Sequence, residues 1–331
     1  MTNTQADIPP PAVSPPARLS GSSTGGADAR SGFMFAVAAY TMWGLLPIYL
    51  KALAGIDVLE VLAHRIFWSA PFGAALLTLR GQWPQVRAAV ADRRVLMMLA
   101  VAALAIATNW LIYVWSVSAS RVLEASLGYY INPLMYVATG VFILGEKMRR
   151  MQIIAVALAG TGVLVLTLGA GVFPWVSLTL AALFTTYGYI RKTTDVGALP
   201  GLFIEVTLLS PIALFYLLWA MNAGEAVFLS GGQGGPPAGG AATDALLIVA
   251  GPITVIPLML FALAARRLTL TTLGFIQYIG PTLQFILGIW YGEAFTVFHG
   301  ICFGLIWIAL AVFSVDAARA NRAAKKLRAA G

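Results

Sequence analysis

Charged residues are scarce in this chain. Asp, Glu, Lys and Arg together make up 10% of its 331 residues, whereas hydrophobic residues make up 60%. A soluble globular domain has roughly 25% charged and 45–50% apolar residues. Together with a mean hydropathy of +0.84, this composition excludes a soluble fold and indicates an all-α, polytopic membrane protein.

Residues that build metal and nucleophile sites are also scarce. The single cysteine, Cys302, excludes an intrachain disulfide framework and a cysteine-rich metal site. The two histidines, His64 and His299, argue against a metal centre or a catalytic triad. The chain has no GxxxxGK[ST] phosphate loop and no HExxH motif. We therefore expect no cofactor, no metal and no catalytic residues.

Long apolar runs dominate what is present. Residues 1–30 are rich in Pro, Ser, Gly and Ala and lack the apolar stretch of a signal peptide, so we expect a disordered tail. Beyond it lie ten segments near the roughly 20 residues that a span needs. They are 32–52, 58–79, 94–116, 122–144, 150–169, 171–190, 199–219, 244–265, 270–292 and 296–316.

The distribution of Lys and Arg predicts the orientation. With the N-terminus in the cytoplasm, the inner loops and tails carry 18 of these residues and the outer loops carry two, Lys51 and Arg121; the last, Arg65, lies inside a span. Cytoplasmic loops are enriched in Lys and Arg. This bias therefore predicts an even number of spans with both termini in the cytoplasm. It also explains the net charge of +8 without nucleic acid as a partner.

Two stretches of the chain resemble each other. Residues 121–146 and 267–293 both begin with Arg, continue through Leu-Gly-aromatic and a Pro, and end with Gly-Glu. Five spans per copy is an odd number, so the second copy would insert upside down. Inverted repeats are the architecture of many secondary transporters, because two equivalent halves can exchange which side is open. Chance similarity between apolar segments is the alternative.

A wider set of motifs resembles the RarD branch of the EamA family, in the drug/metabolite transporter superfamily. The resemblance covers the chain except its tails and a glycine-rich loop, and implies ten helices in two five-helix repeats, an inner-membrane location and export of small solutes. The residues that carry it are Tyr40, Trp43, Gly44, Pro47-Ile48-Tyr49, Lys51, His64-Arg65, Trp68, Asn109-Trp110, Tyr113, Trp115, Glu124, Ser126 to Leu134, Gly251-Pro252 and Phe275 to Pro281.

Polar residues within the spans are the candidates for a substrate site. At 1.5 Å per helical residue, Arg65, Asn109, Tyr129, Tyr130 and Asn132 all lie about 9–15 Å below the outer ends of their helices. Polar groups at one depth of three helices predict a shared wet cavity. Further candidates are Trp110 beside Asn109, Gln277 and Tyr278 in the second half, and Trp43 as a stacking ring.

Arg65 is the strongest of these candidates for a substrate-binding residue. An arginine at the centre of a spanning helix costs about 2.5–3.5 kcal/mol, so it should face protein or water. It could hold an anionic or polar group of the substrate, or it could be a structural residue bonded to carbonyls or to a carboxylate such as Glu124. Both interpretations stay open.

Three titratable residues are candidates for proton coupling. Glu205, in the seventh span, and Glu124, near the start of the fourth, could load and release a proton. The alternative for both is a cap or an ion pair at a helix end. His64, four residues after Glu60 on one helix face, could also carry a proton or simply bond between helices.

These observations predict the following organisation: a tail over 1–30, a first repeat over 31–169, a second over 170–316 with a flexible, exposed glycine-rich loop at 221–243, and a basic cytoplasmic tail over 317–331. The function they favour is a secondary transporter of the inner membrane that moves a small solute, with the lipid bilayer and the solute as partners. The GxxxG at Gly300 and Gly304 is compatible with a homodimer face. The rivals are an intramembrane lipid-acting enzyme, for which no catalytic dyad is visible, and a membrane scaffold or sensor.

Overall fold

The computed structural model describes residues 24–144, 150–171, 173–231, 239–265, 267–268, 273 and 276–330, and these are almost entirely helical. This part of the chain forms eleven helices and no strand. The helices are α1 (Thr24–Ala52), α2 (Val58–Arg80), α3 (Trp83–Ala91), α4 (Arg93–Ser118), α5 (Val122–Leu144), α6 (Arg150–Ala170), α7 (Trp175–Thr193), α8 (Ala198–Ala223), α9 (Ala241–Ala265), α10 (Ile279–Trp290) and α11 (Val297–Ala330).

The long helices coincide with the predicted apolar segments. α1 begins at Thr24, inside the stretch expected to be a tail, and the described part of the ninth segment holds α10. Six helices are long and apolar enough to cross a membrane, judged on the described residues alone. The protein is thus an all-α polytopic membrane protein, and the number of ten spans stays a prediction.

The division of the apolar run from 151 to 190 falls where a hairpin was expected. α6 ends at Ala170 and α7 begins at Trp175. Gly171 turns the chain with φ +67°, a left-handed conformation that glycine adopts without steric cost. Pro174 occupies the N-cap position of α7, where its missing N–H deprives the helix of no hydrogen bond.

Helix α3 was not predicted from the sequence. It is only nine residues long and packs against α4 and α8, with Val86 and Ala89 buried. The Trp83 indole donates a hydrogen bond of 2.9 Å to the Thr78 hydroxyl of α2. A helix this short and this weakly apolar carries no spanning signal, which is why the search for long apolar runs passed over it.

The packing of the ten longest helices has a regularity. The main contacting pairs are α1·α9, α4·α7, α5·α7, α1·α10, α2·α9, α4·α8, α2·α8, α5·α10 and α6·α11. If α1, α2, α4, α5 and α6 are exchanged with α7, α8, α9, α10 and α11 respectively, the same set of pairs results. Helices of the first half therefore pack mainly on helices of the second half.

Candidate functional site

A cavity of about 480 Å³ lies between the two halves of the bundle. Side chains from α1, α2, α4, α5, α7, α8, α9 and α10 line it, together with Gln277 just before α10. Seven of the nine residues predicted for the substrate site lie in this lining. They are Trp43, Arg65, Asn109, Trp110, Tyr129, Asn132 and Gln277.

Arg65 lies in this lining with only 5% of its surface exposed. Its Nε donates a hydrogen bond of 2.8 Å to the Thr254 hydroxyl on α9. Its guanidinium carbon lies 4.6 Å from the ring centroid of Trp110, a cation–π distance. Its Nη1 has no hydrogen-bond partner among the described residues. Glu124, the carboxylate proposed from the sequence as a structural partner, pairs with Arg121 instead, at 2.6 Å.

The two asparagines of the lining differ in how far the protein satisfies them. The Asn109 Nδ2 donates to the Leu180 carbonyl of α7 at 3.0 Å, which joins α4 to α7. The Oδ1 of Asn132 is buried and has no donor among the described residues. Buried polar atoms are nearly always hydrogen-bonded, so this unpaired oxygen is an exception in the wall of the cavity.

Aromatic rings form much of the remaining wall. Tyr129 meets Tyr113 and Phe184 edge-on, with ring centroids 5.7 and 6.0 Å apart. Trp43 lies 5.4 Å from the ring of Tyr40. Edge-on contacts hold each ring in a fixed orientation, so the wall offers stable apolar surfaces to a ligand.

Tyr130 and Tyr278 are not part of the lining. Their rings stack on each other with centroids 6.2 Å apart. The Tyr130 hydroxyl is 2.7 Å from that of Thr282, and its ring also packs on Phe303 of α11. Both tyrosines lie in the packing between α5, α10 and α11 rather than in the cavity wall.

The proton-coupling candidates occupy three different environments. Glu205 on α8 is fully buried behind the cavity wall, 3.5 Å from Nη1 of Arg191 and within hydrogen-bond reach of the Tyr187 hydroxyl at 3.2 Å. Arg191 and Tyr187 themselves line the cavity. Glu124 is tied to Arg121 at the start of α5.

His64 belongs to a separate cluster outside the cavity lining. Its Nδ1 accepts a 3.1 Å hydrogen bond from the Trp68 indole, and its ring packs 4.6 Å from that of Phe228. Its Nε2 is 4.0 Å from Glu60. Glu60 in turn accepts hydrogen bonds from the backbone N–H groups of Val227 and Phe228, both half-buried. This part of the glycine-rich loop is therefore packed, contrary to the prediction of an exposed connection.

The cavity reaches one end of the bundle. Its lining extends along α7 to Arg191 and includes Val196 and the exposed Ala198, where α7 passes into α8. We call this end, defined by residues 194–198, the open end. We call the opposite end the closed end. It is defined by the connections at 53–57, 119–121, 173–174 and 291–296, and none of these described residues belongs to the lining.

Hydrogen bonds between the two halves seal the closed end. The Glu293 carboxylate accepts from the backbone N–H groups of Val122 and Leu123 at 2.6 and 2.7 Å, at the first turn of α5. Burial raises the pKa of the Glu293 carboxyl, and the two N–H donors oppose that rise. The Ser126 hydroxyl donates to the Pro281 carbonyl at 2.8 Å, and the Tyr49 hydroxyl to the Leu246 carbonyl at 2.9 Å.

Sequence reasoning missed several residues of the lining. Arg191 was counted only as an inner-loop charge, and Tyr187 lies one turn before it on α7. Thr254 and Gln284 lie in strongly apolar helices, α9 and α10. A glutamine within a spanning segment was a signal that could have pointed to the site. The other missed wall residues are mostly rings and small apolar side chains, among them Tyr40, Phe184 and Phe261.

Comparison with known proteins agrees with this architecture. The model of the EamA-like transporter family matches residues 30–168. An uncharacterized transporter of Vibrio cholerae is 44% identical over 303 residues, which cover 91% of this chain and 97% of that protein. Protein RarD of Streptomyces exfoliatus is 43% identical over 307 residues, covering 92% of this chain and 94% of its own length.

A solved crystal structure shares the fold. It matches with a TM-score of 0.54 at 19% identity, over 88% of this chain and 98% of that one. The relatives match nearly the whole chain, so the family assignment covers both halves of the bundle. The chain therefore belongs to the EamA-like transporter family, on its RarD branch, and is a multi-pass membrane transporter.

Proposed function

We propose that the protein is a secondary transporter that moves a small polar or amphipathic solute through the cavity between its two halves. The observation that carries the proposal is Arg65, a buried arginine in the wall of that cavity with a nitrogen left unbonded. A charged side chain inside a membrane protein is costly and marks a substrate or ion pathway. Asn109, Trp110, Tyr129 and Asn132 surround the same space.

Alternating access follows from two inverted repeats, 31–169 and 170–316. The exchange of helix contacts described above supports this duplication, since equivalent halves make equivalent pairs. Rocking of one half against the other would close the open end and part the closed end. Apart from apolar packing, the closed end is joined by a few hydrogen bonds. Each neutral one is worth roughly 0.5–1.5 kcal/mol and the charge-assisted ones to Glu293 roughly 1.5–3 kcal/mol, so a solute or proton gradient is of the right order to open it.

The direction of the open end follows from the charge distribution. Arg191 and the other 17 basic residues of the predicted inner side support an open end that faces the cytoplasm. Both termini then lie in the cytoplasm, and the membrane is the inner (plasma) membrane of a bacterial-type cell. In this arrangement the open end faces inward, and a cytoplasmic solute would enter there for export.

Proton coupling is assigned to Glu205. Its carboxylate is fully buried, and its two polar partners, Arg191 and Tyr187, line the cavity. Protonation of Glu205 would release Arg191 and change the charge of the cavity wall. His64 and Glu124 lie outside the wall and are held by Trp68 and Arg121, which favours a structural role for both.

Reconstitution tests the proposal. Purified protein in proteoliposomes should exchange those metabolites that raise its thermal unfolding midpoint, and a pH gradient should change the flux. Arg65→Ala should abolish flux while the protein stays folded. Arg80→Ala, an exposed arginine at the end of the same helix, serves as the matched control and should transport at the wild-type rate.

Two outcomes would contradict the proposal. If Arg65→Ala transported at the wild-type rate, Arg65 would not belong to the site. If solutes bound to wild-type protein but none crossed the bilayer, the cavity would be a binding site without a transport cycle. Glu205→Gln, which keeps the shape of the side chain, should transport without dependence on pH; retained pH dependence would remove Glu205 from the coupling.

A further inference from the structure

The cavity wall is electrostatically one-sided. Among the lining residues that the structure describes are two arginines, Arg65 and Arg191, and no carboxylate. Arg191 has a counter-ion behind the wall, since Glu205 lies 3.5 Å from it. Arg65 takes part in no ion pair among the described residues. The three groups together leave one positive charge that the protein does not neutralise.

The contacts of Arg65 orient its charge without compensating it. Thr254, which accepts from Nε, is a neutral hydroxyl that donates its own proton to the Ala250 carbonyl at 2.8 Å. The face of Trp110 attracts a desolvated cation by about 2 kcal/mol. The desolvation of a buried ion costs several kcal/mol. A structural arginine that served only to join α2 to α9 would gain more from a carboxylate than from a threonine.

The unbonded atoms define what complements this wall. Nη1 of Arg65 is a donor in a planar fork, and the guanidinium fork matches the two oxygens of a carboxylate or another compact oxyanion. Two buried acceptors, Oδ1 of Asn132 and Oε1 of Gln284, also have no donor among the described residues. Gln284 is fixed in orientation because its Nε2 donates to the Trp43 carbonyl at 3.1 Å. An O–H or N–H group on a bound ligand is the kind of group that would satisfy these two oxygens.

The size and surface of the cavity set the rest of the ligand. A volume of about 480 Å³ lies within the range of roughly 300–1,000 Å³ typical of small-molecule sites. Trp43, Trp110 and Tyr129 provide rigid rings that favour an apolar, planar body.

We infer that the transported solute is an organic monoanion: an acid group bound by Arg65, an aromatic or otherwise apolar body against the rings, and a hydrogen-bond donor for Asn132 and Gln284. The inference rests on the proposed function in so far as the cavity is the transport site. A cation would meet the uncompensated charge of Arg65, and a neutral molecule would leave that charge unpaired in the bound state. One negative charge balances the wall, and a dianion would exceed that balance.

A matched series of ligands tests the inference on the full chain in detergent micelles. The series is 4-hydroxyphenylacetate, its neutral amide 4-hydroxyphenylacetamide and the cation tyramine, which share one ring and one O–H donor, extended by a panel of aromatic acids with their amides and amines. Calorimetric titration should show the acids binding at least about tenfold tighter than their amides, equivalent to about 1.4 kcal/mol, and the amines not at all. This comparison needs no variant and so does not depend on the folding of one.

Variants then assign the preference to Arg65. Arg65→Gln should remove the preference of acid over amide, Arg65→Lys should retain part of it because the charge stays, and Arg80→Gln should leave it unchanged. The inference is overturned if no acid in the panel binds better than its amide, or if the preference survives in Arg65→Gln. If the acids bind as expected but show no counterflow in proteoliposomes, the transport proposal is contradicted and the anion site is supported. If a neutral or cationic solute shows counterflow and no acid binds, the transport proposal is supported and the anion site is contradicted.

Discussion

The two ends of the cavity are built differently, although equivalent helices form them. At the closed end, the Glu293 carboxylate, the Ser126 hydroxyl and the Tyr49 hydroxyl each bond across the boundary between the first and second halves. At the open end, the buried ion pair of Arg191 and Glu205 joins α7 to α8 within the second half. The closed end therefore holds the halves together, whereas the ion pair at the open end stabilises the second half and makes no bond between the halves.

This difference also separates two kinds of polar group. The closed-end groups find their partners within the protein, so breaking them affects the balance between conformations. Nη1 of Arg65 and the side-chain oxygens of Asn132 and Gln284 lack partners among the described residues, so changing them affects what binds. The following predictions test that separation, beginning with the largest expected effect.

Removing Arg191 or removing Glu205 from the ion pair of the open end should lower the stability of the protein by different amounts. Arg191→Gln leaves the fully buried Glu205 carboxylate uncompensated, and breaking such a pair costs roughly 3–5 kcal/mol. Glu205→Gln should cost less, because the Arg191 guanidinium lines the cavity and is partly solvated. Denaturation in detergent measures both.

The loss in Arg191→Gln should shrink as the pH falls, since proton uptake removes the stranded negative charge. The double variant Arg191→Gln/Glu205→Gln should regain most of the stability lost in Arg191→Gln. Equal losses in the two single variants at every pH would contradict this account of the open end.

Thiol accessibility should distinguish the two ends along one helix. In a Cys302→Ala background, Leu258→Cys lines the cavity, whereas Leu247→Cys lies fully buried in the closed-end core of the same helix α9. A charged thiol reagent should label the Leu258→Cys variant roughly 100-fold faster, the ratio expected if opening the closed end costs about 2.7 kcal/mol. Comparable rates for the two variants would show that the closed end is not closed in solution.

Among the hydrogen bonds of the closed end, the two that the Glu293 carboxylate accepts should contribute most to keeping that end closed. Glu293→Ala leaves the N–H groups of Val122 and Leu123 without their acceptor, and charge-assisted bonds of this kind contribute roughly 1.5–3 kcal/mol. The expected result is faster labelling of Leu247→Cys with unchanged labelling of Leu258→Cys. Glu225→Ala, an exposed carboxylate at the same end, should change neither rate.

The smallest expected effect belongs to Ser126. Ser126→Ala removes one neutral bond to the Pro281 carbonyl, worth roughly 0.5–1.5 kcal/mol, and should speed the labelling of Leu247→Cys by less than Glu293→Ala does. Ser116→Ala is the matched control, because the hydroxyl of this buried serine donates to the Ile112 carbonyl within its own helix. If Ser116→Ala sped labelling as much as Ser126→Ala, bonds between the halves would have no special role.

The sequence was informative where a signal extends over many residues. Apolar runs predicted the long helices, and the glycine and proline near 171–174 predicted the division between α6 and α7. The equal depth of Arg65, Asn109 and Asn132 in their helices predicted that they line one cavity. Residues at the same level of neighbouring helices can meet if their side chains face each other. Depth does not determine which way a side chain faces. Tyr130 is adjacent to Tyr129 but faces α11 instead of the cavity.

Composition, hydropathy and charge bias were enough to establish that this chain is a helical membrane protein, because the cost of exposing polar groups to lipid acts on every residue of a span. Which polar residues are satisfied and which are not became visible only in the packed bundle. Thr254, rather than Glu124, reaches Arg65, and Arg191 turns from a loop charge into part of the cavity wall. Hydrogen bonds and ion pairs act over about 3–4 Å, so their partners are chosen by helix packing between segments that are distant in the chain.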